Sequence, residues 1–189
     1  MNFLVFVTIM QAATIWLTGL SGAGKSTLAN GLKSRLTEQR RRVFILDGDT
    51  LRNGLCRDLD FSQAGRAENI RRTAEVARIL NDAGITVVAA LISPLVVQRE
   101  LARSIIGDSR FMEIFVSADL TTCESRDCKG LYAAARVGNL PNFTGIGSRY
   151  EPPVSPELVI DTTRLSQSAA LDRLTTHVEA RLIKGRQTA

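Results

Sequence analysis

Eight consecutive residues constrain this chain more than any others. Gly19-Leu20-Ser21-Gly22-Ala23-Gly24-Lys25-Ser26 satisfies G-x-x-x-x-G-K-[ST] at every fixed position. It follows a short apolar run, Thr14-Ile15-Trp16-Leu17-Thr18. The stretch after it places Leu28, Ala29, Leu32 and Leu36 at helical spacing. Small residues let successive backbone N–H groups turn inward around an anion, where larger side chains would clash. The helix that follows points its positive end at the same spot. Lys25 brings a full charge to the β- and γ-phosphates of a nucleoside triphosphate, the Ser26 hydroxyl suits Mg2+, and Thr27 continues the helix start. Chance produces the four fixed positions in roughly one chain in a hundred of this length. The strand-to-helix context is what separates this match from an accidental one.

The rest of the chain repeats the same alternation. Val43-Phe44-Ile45-Leu46 reads as a second strand ending at Asp47-Gly48-Asp49. A long helix is predicted over 63–82, with Ile70, Ala74, Ala77 and Leu80 on one side and Gly84 as its stop. Residues 85–92 are almost continuously apolar, as in a parallel strand covered on both faces. A helix over 96–105, a strand over 111–116, a helix from about Asp119, a short strand over 158–160 and a closing helix over 167–182 complete the order. The expected fold is therefore α/β: a doubly wound parallel sheet of about five strands with helices on both faces, the P-loop NTPase arrangement, in a single domain. Residues 127–156 break the rhythm and hold four of the five prolines, which predicts a mobile lid. Residues 1–12 read as an apolar N-terminal extension, too short to span a bilayer.

Composition narrows the ligand. The chain has 189 residues, is 44% hydrophobic and carries a net charge of +5, with a pI near 9.6. Such a balance suits a protein that handles polyanions, nucleic acid and nucleotide phosphates alike. Aromatic residues make up only 5%, thin for a groove that stacks successive bases. Small phosphorylated ligands are the favoured partners, with neither nucleic acid nor membrane. The cysteines Cys56, Cys123 and Cys128 fit neither a zinc ribbon nor a disulfide framework. Reduced thiols in the cytoplasm are expected.

Asp47 and Asp49 lie at the end of the second predicted strand, where open α/β sheets form their ligand crevice. Two carboxylates there can hold magnesium, directly or through water, and take a proton from an attacking hydroxyl. The alternative is a polar turn, since Asp-Gly is a common turn dipeptide. Four arginines follow: Arg52, Arg66, Arg71 and Arg72. Arg66, Asn69 and Thr73 share one helix face, a basic and amide surface suited to an anionic acceptor, while Arg71 and Arg72 fit a solvated flank equally well.

Taken together, these strings resemble the adenylylsulfate (APS) kinases. The resemblance rests on 18–27, on Leu46-Asp47-Gly48-Asp49 with Arg52, and on Glu68-Asn69-Ile70-Arg71-Arg72. It continues through Ile92-Ser93-Pro94, Arg126-Asp127 with Lys129-Gly130-Leu131-Tyr132, and Asn142-Phe143-Thr144-Gly145-Ile146. It implies transfer of the ATP γ-phosphate to the ribose 3′-hydroxyl of adenosine 5′-phosphosulfate (APS), with Mg2+. By that resemblance Asp49 is the base and Asp47 organises the metal. Arg52, Arg66 and Asn69 hold the acceptor with the Ile92-Ser93 backbone, and Phe61 and Phe143 sandwich its adenine. Lys129, with Gly130 and Leu131 beside it, reaches in from the lid, and Arg126 lies near the ATP adenine. A homodimer, a place in sulfate assimilation and a functional link to an ATP sulfurylase are implied as well. Phosphorylation of Ser93 in transit is weighed against a structural hydroxyl, which is favoured.

Several positions depart from the family pattern. Asn53 stands where histidine is common, Asp60 where glycine is usual, and Gly65 where an acidic residue is usual. Leu95 and Val96 replace an aromatic and a basic residue, Cys128 a proline and Gly147 an acidic residue. A kinase for another small hydroxyl compound, and a catalytically idle nucleotide- or nucleic-acid-binding module, remain alternatives at the level of sequence. The first would not need Phe61 and Phe143.

Overall fold

The computed structural model describes residues 12–184; the predicted extension lies outside them through residue 11. Strand β1 (Thr14–Thr18) is buried at all five residues. It therefore needs a neighbour on each edge and a layer on each face. Both edges are taken by parallel strands, β3 (Thr86–Ala90) on one side and β4 (Phe111–Ser117) on the other. Strands β2 (Val43–Asp47) and β5 (Leu158–Asp161) close the two ends, giving the order β2-β3-β1-β4-β5, parallel throughout. Both edge strands are short, and they expose Phe44 and Val159.

Alternation along the strands divides the interior into two cores. Ile15, Leu17, Val88, Ala90, Met112 and Ile114 face α1 (Lys25–Glu38) and α7 (Gln167–Lys184), which contribute Leu28, Leu32, Leu36, Leu174 and Val178. Trp16, Val87, Ala89 and Phe111 face the other way. There they meet α3 (Gln63–Asp82) and α4 (Val96–Ile106), through Ile70, Ala74, Ala77 and Ala102. The rings of Trp16 and Phe111 lie 5.7 Å apart. The predicted α/β fold with helices on both faces is the one observed.

Two short helices escaped the sequence pattern. Gly48–Asn53 forms α2, where a polar turn was one reading, and Leu131–Arg136 forms α6 inside the irregular stretch. Each is six residues long, too short for a 3.6-residue period to register. The remaining short helix, α5 (Leu120–Ser125), begins where expected, capped by Asp119, whose carboxylate accepts from Thr122 N at 2.6 Å. Strand β3 stops at Ala90 rather than 92. Beyond it the chain turns through Ser93, at φ 38°, and the Thr18 hydroxyl takes the Ile92 carbonyl at 2.7 Å. None of the helices described is long and apolar enough to cross a membrane.

The turn after β3 is held by a buried cation. Arg99 on α4 is 3% exposed, and its guanidinium reaches three acceptors: Glu113 Oε1 on β4 at 2.6 Å, and the carbonyls of Ser93 and Glu151, each at 2.8 Å. A buried charge survives only when paired and hydrogen-bonded in this way. Replacing Arg99 with Met leaves the half-enclosed Glu113 carboxylate and two carbonyls without their donor. We expect a loss of about 3–5 kcal/mol in urea-unfolding free energy, with Arg99→Lys intermediate.

Candidate active site

The loops that leave β1, β2 and β3 gather at the carboxyl edge of the sheet, where an open α/β fold places its ligand. Gly19 to Gly24 form a cradle between β1 and α1. A Cβ on Gly19 would collide with the Val116 carbonyl of β4, and one on Gly22 would fall 2.7 Å from the Cys123 carbonyl. Gly22 also sits at φ 76°, so both positions exclude side chains. Leu20 packs against the α1–α7 core, the Leu20 carbonyl accepts from Ala23 N, and Ser21 is half-buried. Lys25 curls back over this loop, with Nζ donating to Gly19 O at 2.9 Å and to Leu20 O at 2.6 Å. Burial pushes its ammonium down to about 8, partly offset by Cys123, Asp47 and Asp49 nearby.

Asp47 uses its two carboxylate oxygens for different purposes. Oδ2 accepts from Ser26 Oγ at 2.8 Å, and Oδ1 accepts from Asp49 N at 3.0 Å, capping α2. The Asp-Gly dipeptide is thus a helix start, and α2 carries Asp49 beside Asp47 and Arg52 toward the Phe61 turn. Thr27 is exposed on the first turn of α1.

Opposite α2 lies the 126–136 segment. Lys129 Nζ is ion-paired with Asp49 Oδ2, and the pair is well exposed. Asp127 holds that lysine's segment in place: its carboxylate accepts from the backbone N–H groups of Leu131, Tyr132 and Ala133 at 2.8–3.1 Å. Gly130 makes the turn at φ 67°. Arg126 reaches the loop after β5, donating to Thr162 O at 2.8 Å, and the Thr162 hydroxyl donates in turn to the cradle carbonyl of Ala23 at 2.9 Å.

The other side of the crevice is organised by Arg66. Its Nε donates to Phe61 O at 2.9 Å and Nη2 to Asn142 O at 2.6 Å, while Nη1 meets the Thr144 hydroxyl. One guanidinium therefore ties together the two segments that carry Phe61 and Phe143. Phe61 is 64% exposed, with the Arg52 guanidinium 4.6 Å from its ring centre. Phe143 is half-buried and stands at right angles to Tyr132, ring centres 5.0 Å apart. A cavity of about 450 Å3 opens here between Phe61, Arg66, Pro94, Leu95, Asn142 and Arg149. Asn69 is buried nearby on α3, and its Oδ1 has no hydrogen-bond partner among the described residues.

Ser93 is 2% exposed, and its Oγ accepts from the Trp16 indole N–H at 3.0 Å. That geometry favours the structural hydroxyl over a phosphorylated intermediate. Arg71 and Arg72 turn away from the crevice. Arg71 pairs with Glu68, while Arg72 binds Glu68 and, through both terminal nitrogens, Asp58 at 2.7 and 2.8 Å. Residues not singled out from sequence include Thr162, Thr144, Arg149 and Tyr132, whose hydroxyl donates to Ser21 O at 2.9 Å. Only Thr144 and Tyr132 lay inside recognised strings; nothing local marks the other two. Cys56 and Cys123 are buried free thiols, and burial pushes both above the ordinary thiol range, which suits inert packing.

Gly22→Ala tests the cradle. The added methyl meets backbone rather than a movable side chain, at a φ that alanine resists. Binding of a non-hydrolysable ATP analogue, followed by calorimetry, is expected to be lost while far-UV circular dichroism stays native.

Comparison with known proteins places the chain in a family. A family model described as adenylylsulphate kinase matches residues 11–161. An adenylyl-sulfate kinase of Burkholderia ambifaria is 57% identical over 157 residues, covering 83% of this chain and 87% of its own. One from Pseudomonas aeruginosa is 53% identical over 169 residues, covering 89% and 86%. Among solved structures, the APS kinase of Mycobacterium tuberculosis in complex with AMPPNP and APS superposes with a TM-score of 0.86 at 43% identity, covering 89% of this chain and 98% of that one. With its nucleotide cradle and its arginine-bridged pair of aromatic segments on one sheet edge, this chain belongs to the adenylylsulphate kinase family.

Proposed function

We propose that the chain transfers the γ-phosphoryl group of ATP to the ribose 3′-hydroxyl of adenosine 5′-phosphosulfate, giving ADP and 3′-phosphoadenosine 5′-phosphosulfate. The observation that carries this reading is the Arg66 bridge between the Phe61 and Phe143 segments, beside a cradle flanked by Asp47 and Asp49. A flat base between two rings, with an anionic tail near Arg52, Arg66 and the unpartnered Asn69 oxygen, suits the chemistry of that acceptor.

Phosphoryl transfer asks the protein for positioning and positive charge more than for covalent help. Asp49 takes the proton of the 3′-hydroxyl as its oxygen bonds to phosphorus, and the bond to the β-γ bridging oxygen breaks to leave ADP. Lys129 is ion-paired with Asp49. An arriving triphosphate offers Lys129 a stronger anion, which frees the carboxylate as base and draws 127–156 over the site as a lid. Lys25 exchanges its two loop carbonyls for phosphate oxygens in the same way. Closing the segment excludes water, which would otherwise compete as acceptor.

Mg2+ fits the donors present. Ser26 Oγ and the Asp47 carboxylate form a hydroxyl–carboxylate oxygen pair at the cradle, and this ion takes one or two protein oxygens alongside phosphates and water. When bound, it neutralises charge on the β- and γ-phosphate oxygens. The reading extends to a cytoplasmic homodimer working beside an ATP sulfurylase, the class of enzyme that makes the phosphosulfate acceptor.

The test is Mg2+-dependent ADP release with the phosphosulfate, with gluconate, shikimate and AMP as parallel acceptors. Release is expected with the phosphosulfate alone, falling about 10²–10⁴-fold in Asp49→Asn. Phe61→Leu and Phe143→Leu should each raise the acceptor KM on the order of tenfold. Equal release with the other acceptors would overturn the assignment.

A further inference from the structure

Helix α3 begins with an incomplete cap that a residue outside the helix completes. Ser62 is the N-cap, and its Oγ accepts from Gly65 N at 3.1 Å. In a full capping box the side chain three residues on reaches back to the N-cap N–H. Here that position is Gly65, which has no side chain to offer. The Ser62 N–H is instead taken by Asp60 Oδ1 at 3.1 Å, and the same oxygen accepts the Ser62 hydroxyl proton at 2.6 Å. Asp60 also fills the space a side chain at 65 would need. A Cβ built on Gly65 would lie 2.5 Å from the Asp60 carbonyl oxygen and against its carboxylate. The two departures from the family pattern, an acid gained at 60 and one absent at 65, thus meet at this cap, where Asp60 supplies the acceptor that position 65 cannot.

This exchange bears on the acceptor site. Phe61 sits between Asp60 and Ser62 and is 64% exposed, so little packing orients its ring. What holds it is the backbone of its turn, fixed from three sides. Arg52 donates to Leu59 O at 2.9 Å and to Asp60 O at 2.6 Å; Arg66 donates to Phe61 O at 2.9 Å; the Asp60 carboxylate closes the turn onto the helix. Both arginines also belong to the proposed acceptor pocket.

We propose that Asp60 is a positioning residue for the acceptor, completing the α3 cap in place of a side chain at 65 and thereby fixing the Phe61 turn. This rests on the reading that Phe61 binds the acceptor base. A side chain at 65 would meet both the carboxylate and the backbone carbonyl of residue 60, so the cap depends on the acid at 60.

Steady-state kinetics on Asp60→Ala and Asp60→Asn tests it, with circular dichroism as a check on folding. Asp60→Ala is expected to raise the acceptor KM about tenfold while kcat and the ATP KM stay within about twofold. Asp60→Asn, which keeps the accepting oxygen, should stay within about threefold of the parent. An acceptor KM raised equally by both variants would overturn the role of that oxygen. An unchanged acceptor KM in Asp60→Ala, with Phe61→Leu raising it, would overturn the proposal alone. If Phe61→Leu is silent too, the acceptor-site reading falls with it, and a melting temperature lowered in Asp60→Ala but not in Asp60→Asn then reports the cap independently.

Discussion

The point where β1 ends governs the whole carboxyl edge of the sheet. This strand is flanked by β3 and β4, and the chain fills one side of it before the other. A crevice opens wherever strand order reverses in this way, because successive connections depart in opposite directions. Gly19 stands at that point. The Val116 carbonyl of β4 occupies the place of its absent side chain, and its N–H faces the Ile92 carbonyl at 3.5 Å. From there the cradle can curl only one way, with Thr162 and Tyr132 holding its carbonyls from outside. Other loops at that edge, α2 and the turn at Ser93 among them, are arranged around an anion site whose shape is already decided.

Positive charge is distributed by geometry rather than by residue type. Arg52 and Arg66 hold the backbone around Phe61, and Arg66 lines the cavity beside it. Arg71 and Arg72, one turn further along α3, close ion pairs with Glu68 and Asp58 that brace the preceding turn. Arg99 is sealed in the interior with Glu113. Lys25 and Lys129 are held by groups that a triphosphate can replace: two loop carbonyls in one case, the Asp49 carboxylate in the other. Lys25 and Lys129 thus have few and exchangeable partners, whereas Arg66, Arg72 and Arg99 are each held by three or more acceptors.

Legibility followed periodicity. Helix α3 was read from sequence at 63–82, its observed span, because twenty residues of amphipathic pattern average out local exceptions. The five strands were visible because each is a compact apolar run between turns. Helices α2 and α6 were not, and both matter, since α2 carries Asp49 and α6 anchors the loop of Lys129. Their starts depend on side chains that cap from outside, Asp47 for one and Asp127 for the other, and a carboxylate before a short segment reads equally well as a turn. Among single residues, Ser93 illustrates the same limit. Its partner, Trp16, is 77 residues away, so no local pattern could say where the hydroxyl points.

By itself the sequence determined the order of the strands and longer helices, the nucleotide cradle and the carboxylates beside it, because strand and helix periods and glycine spacing are local properties of the chain. It also carried the strings that mark the family. Tertiary structure alone decided which arginines line the crevice and which close ion pairs, that Arg66 reaches a carbonyl 76 residues away in sequence, and that Asp60 supplies the acceptor that Gly65 has no side chain to offer. Those are contacts between parts of the chain whose distance in space no local pattern encodes. They are set only once the sheet order has brought the loops to one edge.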